Sequence, residues 1–65
     1  MYKGIAQIQM AHRTERVESG EWWTKEQAQA ELQYFILKAL PMRESFKVVQ
    51  QVITIKYISQ LWKRH

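Results

Sequence analysis

The chain has 65 residues, with ten Lys and Arg against six Glu and a formal net charge of +4. It contains no cysteine, no aspartate and no asparagine, and its only histidines are His12 and His65. That composition excludes a disulfide scaffold, a Cys/His zinc centre and an Asp-rich calcium loop, and it leaves no Asp to orient a catalytic histidine.

From Tyr2 to His12 one parity carries Tyr2, Gly4, Ala6, Ile8 and Met10, and the other carries Lys3, Ile5, Gln7, Gln9 and Ala11. A period of two predicts a strand, with the Ile8/Met10 side on a core and Gln7 and Gln9 facing out. The polar stretch from His12 to Glu15 lacks the Asn-Gly or Asp-Gly of a tight hairpin, so a looser turn is expected. Arg16 to Trp23 reads as a second strand, with Gly20 as a bulge or bend. The adjacent Trp22 and Trp23 then point to opposite faces.

Thr24-Lys25-Glu26-Gln27 has the spacing of a capping box: the Thr hydroxyl accepts from the third helical N–H while Gln27 reaches back. Ala28, Leu32, Phe35, Ile36 and Ala39 then recur at helical spacing and define a core face. Pro41 ends this helix by driving Leu40 out of helical geometry. The last third is β-branched: Val48, Val49, Val52, Ile53, Thr54, Ile55 and Ile58. Lys47, Gln50, Gln51 and Thr54 would also form one polar helical face, but the β-branching favours a strand.

The order strand, strand, helix, strand predicts a small single α+β domain over residues 1–65. Its antiparallel sheet has the order 2-1-3, with one helix packed on one face. Residues 59–65 read as a strand end or a loose basic tail.

No constellation points to catalysis. Glu26 and Glu31 are five residues apart and do not share a helical face. Gly4 and Gly20 stand alone, which is not a phosphate loop. No catalytic residue, metal or cofactor is expected, and the chain reads as a non-enzyme. The longest apolar run, Tyr34 to Leu37, is far short of the ~20 residues that span a bilayer, so a soluble, cytoplasmic protein without membrane contact is expected.

Apolar positions exceed what one core needs. Behind the core face of the helix lies a second stripe, Ala30, Tyr34 and Leu37, while Ile36 and Leu40 flank the core face. On the sheet face without a helix, Val48, Val52 and Ile58 share a parity, joined by Ile5. Exposed apolar patches of this kind mark interfaces. The expected partner-binding residues are therefore Ala30, Tyr34, Leu37, Val52 and Ile58, with Trp22 as a second aromatic anchor. Arg13, Arg16, Lys56, Lys63 and Arg64 are expected to meet an acidic protein surface or, alternatively, nucleic-acid phosphates, with Trp22, Trp23, Tyr57 and Trp62 available for stacking.

The expectation is a protein–protein inhibitor or adaptor of a larger protein or nucleoprotein complex. Direct nucleic-acid binding is the alternative, and self-association into a homodimer is compatible with either. Size and layout are typical of small phage or mobile-element proteins that redirect a host machine, as anti-CRISPR proteins do. That analogy rests on size and layout alone.

Overall fold

The computed structural model describes residues 1–58. It contains β1 (Tyr2–Met10), β2 (Thr14–Trp22), α1 (Lys25–Ala39), a single turn α2 (Met42–Ser45) and β3 (Val48–Tyr57). The parity of β1 organises all of it. Gly4, Ala6, Ile8 and Met10 are buried while Gln7 and Gln9 are exposed. β1 is the central strand of an antiparallel sheet in the order β2-β1-β3, and α1 covers one face, as the sequence implied. The helix lies over β2 and β1 and barely touches β3. The core is Ala6, Ile8, Met10, Leu32 and Leu40, with Val17, Ile36, Val48 and Ile55 packed against it.

The strand ends differ slightly from expectation. β1 stops at Met10 rather than His12, and β2 begins at Thr14 rather than Arg16. Ala11 to Arg13 form the looser connection, closed by the Met10 N–H donating to the Arg13 carbonyl at 2.8 Å. Near the far end of the pair, Lys3 faces Glu21 but Ile5 faces Glu18, so Ser19 and Gly20 stand opposite Gly4. This is the expected bulge. The backbone partner that it takes from Gly4 is replaced by a side chain: the Gly4 N–H donates to Ser19 Oγ at 2.8 Å, and the hydroxyl donates to the Gly20 carbonyl at 2.8 Å. Ser19 is buried, so losing this bond would leave a desolvated donor at a cost of about 1–3 kcal/mol.

α1 starts as the capping box requires. Thr24 Oγ1 accepts from the Gln27 N–H at 3.1 Å, and Gln27 Oε1 accepts from the Thr24 N–H at 3.2 Å. Ala28 and Leu32 are fully buried, and Phe35 and Ile36 are half-buried. Ala39, expected in the core, is exposed, and Leu40 is buried instead. Leu40 has left helical geometry (φ −120°, ψ 88°), and it is Leu40 that joins the core at this end. Pro41 does stop the helix, but a further turn follows at once: its carbonyl accepts from Glu44 N at 2.8 Å and Ser45 N at 3.2 Å.

The segment whose strand and helix readings competed is a strand. It begins with a second irregularity: Gln9 faces Gln50 but Met10 faces Val48, leaving Val49 as an extra residue. The extra residue reverses the parity of Val48. It was expected on the uncovered face with Val52; it packs against the core beside Met10.

Candidate interaction surface

Cross-strand partners share a face, so the face away from α1 can be read from the register. Thr14, Gln9 and Gln50 lie in line across it, as do Arg16, Gln7 and Val52. A shallow depression of about 200 Å³ there is lined by Gln7, Gln9, Thr14, Gln50 and Val52. The expected apolar patch on this face is reduced: Val48 turns inward, Val52 is exposed between Gln7 and Gln50 with half-buried Ile5 diagonal to it, and Ile58 is half-buried at the far end, where it pairs with Met1.

The basic residues are distributed, and Lys3, Arg13 and Arg16 form ion pairs. Arg13 Nε and Nη2 contact Glu15 and Glu44, each at 2.7 Å, which ties the β1–β2 connection to α2. Glu18 receives Lys3 Nζ at 2.7 Å and Arg16 Nε at 2.6 Å. Lys56 stands across from Lys3 and is exposed. Lys63, Arg64 and Trp62 lie outside the described residues. Arg13 and Arg16 therefore already hold carboxylates where phosphates would have to bind.

Hydrogen bonds from Lys3 and then Arg16 hold the Glu18 carboxyl below its ordinary value, and bonds to Glu15 and then Glu44 raise the Arg13 guanidinium. A depressed carboxylate stabilises the fold above the unfolded pKa, and that contribution is lost as pH falls through the folded one. Both pairs are on the surface, so the stability effect is small. The direct readout is side-chain NMR: the Glu18 carboxyl carbon should titrate below the ordinary glutamate range, and in Lys3→Met it should move back up. An ordinary midpoint in the wild type would show that the pairs do not persist in solution.

β2 ends at Trp22, so Trp23, expected within the strand, lies just beyond it. Trp22 pairs across from Tyr2 and is half-buried. Its Nε1–H donates to Glu31 Oε1 at 2.9 Å, and the same oxygen accepts from the Gly20 N–H at 2.6 Å. Trp22 thus docks α1 onto β2 rather than offering a partner anchor. The free indole is Trp23, 69% exposed. Glu31 is a structural residue, which the sequence analysis did not single out for that role. The available signal was its place on the flank of the Ala28–Leu32 face, three residues from one and adjacent to the other.

The apolar surface lies on the other side. Ala30, Tyr34 and Leu37 are all exposed on the back of α1, Leu37 at 74%. Tyr34 is held between Phe35, at 6.0 Å between ring centroids, and Lys38 Nζ, 5.4 Å from its own centroid. Because α1 sits over β2 and β1, a groove of about 230 Å³ opens between it and β3, lined by Gln33, Ile36, Leu37, Gln51 and Ile53. Met42, Phe46 and Val49 are also exposed, at 82%, 86% and 67%. The structure therefore brings Ala30, Tyr34 and Leu37 together. It adds Ile53 and leaves Val52, Ile58 and Trp22 elsewhere. Among the described residues, no three His, Cys, Asp or Glu side chains are grouped to hold a metal, and no helix is long and apolar enough to cross a membrane. Comparison with family models, with curated proteins and with solved structures returned no match.

Proposed function

We propose that this chain is a non-enzymatic binding protein, an inhibitor or adaptor that engages a larger protein or nucleoprotein complex through the outer side of α1. The observation that carries this reading is the continuous apolar strip from Tyr34 and Leu37 into the groove at Ile53. Its exposure has no use in the isolated fold, and burying a side chain of this size is worth about 1.5–3 kcal/mol. Tyr34 is the aromatic anchor and Leu37 the apolar one. The surplus of positive charge steers the chain towards an acidic partner surface and sets the rate of encounter more than the strength of binding. A cytoplasmic setting belongs to this reading, and the lack of cysteine is compatible with it.

The test is affinity for a captured partner. Tyr34→Ala should cost about 2 kcal/mol, roughly a 30-fold weakening. Leu37→Glu, which places a charge in the contact, should weaken binding by about 100-fold or more. Both residues are exposed, so the melting temperature of each variant should stay near that of the wild type. Wild-type affinity in Leu37→Glu would remove this surface from consideration.

A further inference from the structure

The sheet has two edges of very different character. β2 carries Glu15, Arg16, Glu18 and Glu21 and is interrupted by the Ser19–Gly20 bulge. These are the devices that stop a strand from pairing with another chain. β3 has ten residues, a single charge at Lys56, and neither glycine nor proline. Its one irregularity, Val49, is confined to its start.

The hydrogen-bonding direction of β3 follows from its far end. The Ile58 N–H donates to the Met1 carbonyl at 2.7 Å, and the Met1 amino group donates to the Ile58 carbonyl at 3.0 Å. Mutually bonded pairs alternate with unbonded ones along an antiparallel ladder. Counting back through Lys3–Lys56, Ile5–Thr54 and Gln7–Val52, the even-numbered residues turn their N–H and C=O groups towards β1. Gln51, Ile53, Ile55 and Tyr57 turn theirs to the outer edge, where no other strand of the described residues lies.

We propose that β3 pairs antiparallel with β3 of a second copy of this chain, joining two sheets into one of six strands. A two-fold axis perpendicular to the sheet preserves its faces. With the axis at Ile53, Ile53 meets its own copy, Gln51 meets Ile55, and Val49 meets Tyr57 on the helix side. Val52 meets Thr54 and Gln50 meets Lys56 on the other. No like charges face each other, although each copy carries +4. The two grooves beside α1 meet across the axis, which covers Ile53. Both α1 helices remain on one face, so Tyr34 and Leu37 stay exposed in the dimer, while the Ile53 end of the strip is taken up by the pairing. A strand of ten residues is about 33 Å long, and the molecule is 14 to 19 Å across. The contact is then on the order of 500 Å² per copy, at the small end for specific association, with dissociation expected near micromolar concentrations.

Sedimentation equilibrium of the full chain from about 5 to 500 μM, with amide exchange by NMR at both ends of that range, tests the pairing. The mass should rise from 7.9 kDa towards twice that value. The amides of Gln51, Ile55 and Tyr57 should be protected only at high concentration, and those of Val52, Thr54 and Lys56 at both. Ile53→Pro removes an N–H that faces outward and should stay monomeric with its β1 ladder intact. A wild-type chain that remains monomeric throughout, or a dimer in which the outward amides still exchange freely, would overturn the proposal; both readings use the wild type and hold even if the proline variant fails to fold.

Discussion

Gly4→Val is expected to remove most of the stability of this fold, although valine is the better strand former. A Cβ at position 4 would lie 2.9 Å from Leu32 Cδ2, 3.2 Å from Leu32 Cβ and 3.3 Å from the Ala28 carbonyl oxygen. The leucine tip can turn aside, but its Cβ and the helix backbone cannot, so α1 must lift from β1. Filling a packed contact costs about 1–3 kcal/mol. Relieving the entropy penalty of a strand glycine returns only about 0.5–1 kcal/mol, so packing wins. Alanine should be mildly destabilising, and valine, with two further methyl groups, should lie at the upper end. A domain this small without disulfides rarely exceeds about 3–5 kcal/mol in total. Urea denaturation checks the order wild type, Gly4→Ala, Gly4→Val. A valine variant as stable as the wild type would show that α1 does not sit this close to β1.

Leu32→Ala attacks the same contact from the helix side. Leu32 and Ile8 are the largest fully buried side chains, and truncating such a leucine costs about 2–5 kcal/mol through lost transfer energy and the cavity left behind. That is comparable to the whole stability of the domain, so the variant should be largely unfolded at 37 °C by circular dichroism. The two sites should also couple. In Gly4→Ala/Leu32→Ala the new methyl at position 4 enters space vacated at position 32, so the double variant should be more stable than the sum of the single effects by more than about 0.5 kcal/mol. Simple additivity would mean that the helix and strand adjust independently.

The parts of this fold that follow from local periodicity were legible in the sequence. The alternation from Tyr2 to Met10, the Thr24–Gln27 box and Pro41 each act over a few residues, and together they dictate the central strand and both ends of the helix. The β-branched run from Val48 decided the competing reading of the last element. What could not be read depends on where one element lies relative to another. A single inserted residue at Val49 turned Val48 into the core, which took one of its expected apolar residues from the uncovered face. Trp22 and Trp23 are neighbours in the sequence, but only the position of Glu31 determined which one docks the helix. The Ala30–Tyr34–Leu37 stripe was legible because it depends on helical spacing alone. The groove that extends it to Ile53 was not, since it arises from α1 lying over β2 and β1 instead of over the middle of the sheet.

The most direct test of recognition through the apolar side of α1 is a capture experiment on immobilised wild-type chain and Leu37→Glu, each with and without nuclease. One stoichiometric protein should be retained by the wild type, survive nuclease and be lost from the variant. Equal capture by both, or capture that disappears with nuclease, would contradict it; the second outcome would make nucleic acid the ligand and transfer the site to the basic residues.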